Sequence, residues 1–286
     1  MNAPRLPAPA EGKLAPALIA CDLDDTLLTE ALAISDYSAA VISRAAAKGI
    51  YVALCSGRAK GAMLPHAERL GIAAADAGRY LVTQNGSSIC DLRLAEEIFR
   101  RTLPHETLLA ALKTADAYGL SCQVYDDAAI YTPEASEWVR ADSRLSGLRL
   151  CVVKDFAAFL SPGYPKLVIS GKPELIAQAE QTLRGTIGGE CGIFTSKPYF
   201  LEIMPKGCGK GEALEWLARR LGIPLERVMA FGDSMNDESM MRYAGMSVAM
   251  INGDERICRQ ARFVTAYSHN DDGVARFIER FVRLDE

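Results

Sequence analysis

The chain has 286 residues, 49% of them hydrophobic and 24% charged, which excludes a wholly disordered protein and supplies enough apolar surface for a sizeable core. At roughly 150 residues per domain the length allows about two domains, or one large one. The 32 Lys and Arg against 36 Asp and Glu give a formal net charge of −4, which argues against a dedicated nucleic-acid binder but leaves room for a small anion held by a few placed cations.

Residues 1–15 are Pro/Ala-rich and read as a flexible N-terminal tail, too short of apolar residues for a signal peptide. Ala17–Cys21 reads as a buried strand, 36–48 as a helix ended by Gly49, and 50–55 as a second buried strand. A helix over 60–70 ends at Gly71, and Tyr80–Thr83 is a third strand. Apolar strands alternating with amphipathic helices imply a parallel sheet covered by helices. From residue 87 to 200 the rhythm changes. Helices are expected at 104–118, 133–142 and 173–183, with strands at 121–125, 129–132, 148–153, 166–170, 192–195 and 199–203, which reads as an α+β unit with an antiparallel sheet. The first rhythm then resumes: helix 211–221 capped by Gly222, strand 227–231, helix 237–243, strand 246–250, a helical turn at 254–260, a short strand at 263–265 and a closing helix at 271–282. A core domain of residues 16–86 and 201–286, interrupted by an inserted domain of residues 87–200, is therefore expected.

The eight cysteines are scattered without a C-x-x-C pair, so a paired-ligand zinc site is not expected; those in apolar surroundings read as reduced core residues in a reducing compartment. No window approaches 18 uncharged apolar residues, so no membrane span and a cytoplasmic location are expected. His66, His105 and His269 show no spacing for a metal or a triad. In the inserted domain Arg140, Arg144 and Arg149 read as a solvated face, and Tyr131 and Trp138 as packing residues.

Four segments carry the chemistry. Asp22-Leu23-Asp24-Asp25-Thr26-Leu27-Leu28 follows a buried strand, at the end of a parallel sheet where ligands bind. Crowded carboxylates want a cation or a proton between them, and hard oxygen ligands suit Mg²⁺. Ser56-Gly57-Arg58 follows the second strand and offers a hydroxyl and backbone N–H groups to a phosphoryl oxygen. Lys210, in Gly209-Lys210-Gly211, stands at a helix N-terminus, where the helix dipole disfavours a cation; Lys206 is a competing choice. Gly232-Asp233-Ser234-Met235-Asn236-Asp237 follows another apolar strand, and either Asp233 or Asp237 completes a metal site begun by Asp22.

In this order the four segments resemble the motifs of the haloacid dehalogenase (HAD) phosphatase superfamily, from about Leu18 to Val282. Only 32 positions separate Asp24 from Ser56, whereas 152 separate Arg58 from Lys210, so the insertion lies between the second and third motifs. That resembles the type IIB cap of the Cof-type phosphatases, as do Thr83-Gln84-Asn85-Gly86-Ser87 and Asp272-Gly273-Val274-Ala275. The chain departs from the family in Gly209, where a Ser usually precedes the lysine, and in Asp25, where phosphomutase relatives carry Gly. The resemblance implies an α/β fold, a Rossmann-like parallel-sheet HAD core with an inserted α+β type IIB cap. It implies Mg²⁺-dependent hydrolysis of small phosphorylated metabolites, sugar phosphates or phosphorylated cofactors, through an aspartyl-phosphate on Asp22. Asp24 is then the general acid and base. Mg²⁺ is held by Asp22, the Asp24 carbonyl and Asp233. Ser56, Gly57, Arg58, Lys210 and Asn236 bind substrate, Thr26 and Asp237 support the site, and Asn85 and Gly86 shape its entrance and hinge. Expected partners are a small phosphate ester, with no nucleic acid or membrane, and a monomer or weak homodimer. Alternatives are a phosphomutase or phosphotransferase on the same core, and a catalytically silent binding protein.

Overall fold

The computed structural model describes residues 10, 14–74, 76–77 and 79–284. Most of the tail expected over 1–15 lies outside the described residues. Leu14 is held: it pairs with Val282, donating its N–H to the Phe281 carbonyl and accepting from Arg283 N, both at 2.9 Å.

The chain divides into two compact units. The first comprises the residues up to Gly57, Met63–Ile98 and those from Gly209 onward. It opens with β1 (Leu18–Asp22), α1 (Asp36–Ala47), β2 (Tyr51–Cys55), α2 (Lys60–Arg69), β3 (Tyr80–Thr83), β4 (Ser88–Asp91) and β5 (Glu96–Arg100). The second, Arg58–Ala62 with Phe99–Cys208, holds α3 (His105–Ala117), β6 (Ser121–Tyr125), β7 (Ala129–Thr132), α4 (Glu137–Ser146), β8 (Arg149–Val152), α5 (Phe156–Phe159), β9 (Leu167–Ser170), α6 (Pro173–Thr186), β10 (Cys191–Lys197) and β11 (Phe200–Pro205). The first unit resumes with α7 (Lys210–Arg220), β12 (Val228–Gly232), α8 (Glu238–Tyr243), β13 (Met246–Ala249), α9 (Glu255–Gln260), β14 (Phe263–Val264) and α10 (Gly273–Phe281).

The first unit's sheet runs β14-β13-β12-β1-β2-β3-β4-β5. From β14 to β3 the neighbours pair parallel; β4 pairs antiparallel to β3. β1 is buried along its whole length, which explains its unbroken apolar run Leu18–Cys21. α1 and α10 cover this sheet, and Ile42, Leu54, Phe231 and Phe277 belong to one apolar core. The long segment of the second unit begins at Phe99 rather than at 87, and Ser88–Asp91 pairs with β3 and extends the first sheet. It reaches Cys208 rather than 200 because Phe200–Pro205 pairs antiparallel with both β9 and β10.

The second unit's sheet runs β10-β11-β9-β6-β7-β8, antiparallel except for the parallel pair β7–β8. Cys122 and Val124 face a core shared with Leu108 of α3 and Ile176 of α6. Gln123 and Tyr125 alternate to the other face, where both donate to Asp142 of α4 at 2.6 Å. α4 begins at Glu137, not 133, because Ser136 is its cap, accepting from Val139 N, and it runs on to a left-handed Gly147. Tyr131 packs on Phe159 and Trp138 on Tyr199, while Arg140, Arg144 and Arg149 are exposed. All eight cysteines are free thiols. Among the described residues no helix is long and apolar enough to cross a membrane.

Phe231 supports the sheet directly beneath the end of β12. It is fully buried and meets Phe277 edge-to-face at 5.6 Å. Phe231→Ala is expected to cost about 3–5 kcal/mol in urea unfolding. A cost below about 1 kcal/mol contradicts this packing.

Candidate active site

The strand register decides where the chemistry gathers. Asp22, the last residue of β1, lies opposite Cys55 of β2, and Cys21 lies opposite Phe231 of β12. Ser56 and Gly232-Asp233 therefore leave the sheet at the same edge as Asp22. β1 is also where the strand order reverses: the chain moves outward through β2 and β3 on one side and returns through β12 and β13 on the other. Open α/β sheets bind ligands at such switch points.

Past β1 the chain turns tightly. Asp24 is extended (φ −69°, ψ 131°), Asp25 is left-handed (φ 58°), and Leu28 N closes the turn on the Leu23 carbonyl at 2.8 Å. Asp22 and Thr26 are buried, Asp24 is half-buried and Asp25 is exposed. Thr26 donates its hydroxyl to Asp233 Oδ1 at 3.0 Å, which ties the first motif to the fourth.

Lys210 opens α7 and is only 1% exposed. Its Nζ donates to Asp22 Oδ1 at 2.5 Å and to Asp237 Oδ1 at 2.7 Å. The other Asp237 oxygen accepts the backbone N–H groups of Asp233 (3.0 Å) and Ser234 (3.1 Å). α7 comes this close because Gly211 has no side chain: a Cβ there would lie 2.2 Å from the Ser239 backbone of α8, and Gly211 N donates to Ser239 Oγ at 2.9 Å. Asn236 accepts from Ser234 Oγ at 2.8 Å and donates to Asn85 Oδ1 at 3.2 Å. Ser56 is buried, and Gly57 packs against the Asn85 side chain. The first unit thus unites Asp22, Asp24, Thr26, Ser56, Gly57, Asn85, Gly86, Lys210, Asp233, Asn236 and Asp237. Arg58 is grouped with the second unit. Lys206, the competing lysine, is exposed and donates to the Gly189 carbonyl at 2.9 Å.

Ligand oxygens of Asp22, Asp233 and Asp237 lie within 4.8 Å of one another, and no histidine joins this cluster. Three buried carboxylates face one ammonium. Burial pushes the Asp22 carboxyl well above the ordinary range; Lys210 pulls it down, while Asp237 and Asp233 push it up. Burial, assisted by Asp237, lifts Asp233 to about 7 against the pull of Lys210 and the Thr26 hydroxyl. Burial works against the Lys210 ammonium, but Asp22 and Asp237 outweigh it and hold the proton more firmly than in a free lysine. Such an excess of negative charge fits a divalent cation with oxygen ligands. Asp237 is the poorest ligand of the three, because Lys210 and two backbone N–H groups already occupy its oxygens.

Sequence reading overlooked the outer braces of the first motif. Asn252 donates through Nδ2 to the Asp25 carbonyl at 2.8 Å and accepts through Oδ1 from His269 N at 3.0 Å, and His269 Nε2 lies 3.6 Å from Asp25 Oδ1. The available signal was Asn252-Gly253-Asp254, a turn that follows a parallel strand at this same edge.

The family model for haloacid dehalogenase-like hydrolases matches residues 19–278. The chain belongs to this family. An HMP-PP phosphatase of Serratia proteamaculans is 29% identical over 271 residues, 93% of this chain and 95% of that one. A haloacid dehalogenase-like hydrolase from Bacteroides thetaiotaomicron superposes with a TM-score of 0.87 at 31% identity, covering 93% of this chain and 99% of that one. A HAD subclass IIB sugar phosphatase shares the fold, with a TM-score of 0.78 at 23% identity over 92% and 97% of the two chains. This HAD chain is a Cof-type phosphatase, a hydrolase of phosphoric monoesters.

The carboxylate cluster has a thermodynamic consequence. Asp233 titrates near 7 when folded against 3.8 as its ordinary value, so without a cation the folded state holds the extra proton and stability falls as pH rises from about 4 to 7. A bound cation removes that penalty. The rise in melting temperature on adding MgCl₂ is therefore expected to be larger at pH 8 than at pH 5 in differential scanning fluorimetry. Equal rises at both pH values contradict a cation among these carboxylates.

Proposed function

We propose that this HAD phosphatase hydrolyses small phosphorylated metabolites, sugar phosphates or phosphorylated cofactors, through an aspartyl-phosphate on Asp22. The single observation supporting this most strongly is the Lys210 ammonium bridging Asp22 and Asp237 beside Asp233, at the open end of β1. The names of the HMP-PP phosphatase and the sugar phosphatase favour small phosphate esters as the substrate class.

Asp22, the Asp24 carbonyl and Asp233 would hold Mg²⁺, which when bound supplies charge neutralisation between the carboxylates and the phosphoryl oxygens. Lys210 pulls Asp22 toward its ionised form against burial and neutralises equatorial phosphoryl charge. Ser56, Gly57 and Asn236 hold the other phosphoryl oxygens, Thr26 fixes Asp233, and Asp237 orients Lys210. An Asp22 oxygen attacks phosphorus as the bond to the leaving oxygen breaks, and the Asp24 carboxylic acid gives that oxygen its proton. In the second half a water attacks phosphorus, Asp24 takes back a proton, and the Asp22–phosphorus bond breaks. One water is consumed, and one alcohol and one phosphate are released.

Asp22→Asn is expected to abolish both turnover and phosphoenzyme, read by intact-protein mass spectrometry after acid quench. Asp24→Asn is expected to lose about 10²- to 10⁴-fold in kcat on an alkyl phosphate. It should lose less in the first step on p-nitrophenyl phosphate, whose leaving group needs no proton, so that phosphoenzyme accumulates. Parent-like turnover in either variant overturns the assignment.

A further inference from the structure

The loop between β3 and β4 carries the most unusual backbone near the site. Gln84, Asn85 and Gly86 are left-handed in succession, with φ of 49°, 53° and 92°. Two consecutive non-glycine residues in that region are strained, because Cβ crowds the backbone there. The loop is buried, and two of its polar atoms, Gln84 Oε1 and Ser87 Oγ, have no hydrogen-bond partner. Such a costly conformation persists where the surroundings impose it, typically at a functional site.

The surroundings are the candidate phosphoryl-binding segments. Asn85 N donates to the Ser56 carbonyl at 2.9 Å. The Asn85 carboxamide lies 3.0–3.3 Å from where a Cβ on Gly57 would stand, and its Oδ1 accepts from Asn236 Nδ2 at 3.2 Å. Gly86 sits against the third motif: a Cβ there would fall 2.1 Å from the Gly209 carbonyl oxygen and 3.0 Å from Lys210 N. One three-residue loop therefore touches the second, third and fourth motifs.

We propose that Asn85 is a positioning residue for phosphoryl transfer. Its carboxamide sets the spacing between Ser56-Gly57 and Asn236, and the left-handed turn it occupies seats Gly86 under Gly209-Lys210. The inference rests on the reading of these segments as the phosphoryl site. It gives the loop a part in aligning the donors, beyond shaping an entrance. Misplacing an aligned group by about 1 Å is worth about 100-fold in rate, so the effect is measurable without any contact between Asn85 and substrate.

The test uses the full chain with Mg²⁺, p-nitrophenyl phosphate as substrate and inorganic phosphate as competing product. Asn85→Gly suits a φ of 53° and so removes the carboxamide without straining the turn. It is expected to keep the parent's melting temperature within a few degrees, lower kcat/KM about 10- to 100-fold and raise Ki for phosphate. Asn236→Ala is expected to cost much less in the Asn85→Gly background than in the parent, because the two share one hydrogen bond. Asn85→Asp keeps the turn and the acceptor oxygen. Its added carboxylate is expected to raise Ki for phosphate beyond that of Asn85→Gly, and it carries the comparison with Asn236→Ala should the glycine variant not fold. Parent-like kinetics in Asn85→Gly, fully multiplicative losses in the pair, or an unchanged Ki for phosphate in Asn85→Asp overturns the proposal. Asp22→Asn run alongside separates the two levels. If it keeps full activity, the phosphoryl-transfer reading itself falls; if it is dead and Asn85→Gly is parent-like, only the role of Asn85 falls.

Discussion

The Lys210 ammonium holds the site together. A buried cation costs several kcal/mol in desolvation and persists only where close acceptors compensate. Here they are Asp22 at the end of β1 and Asp237 in the loop after β12, at 2.5 and 2.7 Å. The pairing fixes three parts of the chain at once: the start of α7, the end of β1 and the turn after β12. It also explains Gly211, since any side chain there would push α7 away from α8 and draw the ammonium off its carboxylates.

Compensation by one lysine is incomplete. Asp233 adds a third carboxylate, and burial with mutual repulsion raises both Asp22 and Asp233. The protein is therefore built with an excess of negative charge at one sheet edge, restrained by Lys210, by the Thr26 hydroxyl and by backbone N–H groups. A rigid arrangement of this kind is what a phosphoryl-transfer site requires, because little covalent chemistry falls to the protein and positioning with charge stabilisation does most of the catalysis.

Much of this was legible in the sequence because the determinants are local. Unbroken apolar runs such as Leu18–Cys21 announce strands buried on both faces, and the carboxylates that follow them must emerge at the carboxyl edge of a parallel sheet. What stayed hidden depends on long-range pairing. Ser88–Asp91 carries no signal that distinguishes a strand of the first sheet from one of the second unit; only its pairing with Tyr80–Thr83 decides. The start of α4 was misplaced because Pro133 is a plausible first helical residue, while the decisive cap is Ser136. Asn252 escaped because it braces the first motif from more than 200 positions away.

Asp22 and Asp24 are two residues apart, yet the fold gives them opposite surroundings. Asp22 is the last strand residue, buried and tied to an ammonium. Asp24 lies beyond it, in an extended backbone just before the left-handed Asp25, and is only half-buried. In the first, the ammonium pulls toward its ionised form a carboxyl that burial and the neighbouring carboxylates raise. The second suits one that exchanges a proton with a leaving group and then with water. The left-handed Asp25 turns the chain directly after Asp24. Glycine takes a positive φ without penalty, whereas here an aspartate holds it, braced through its carbonyl by Asn252.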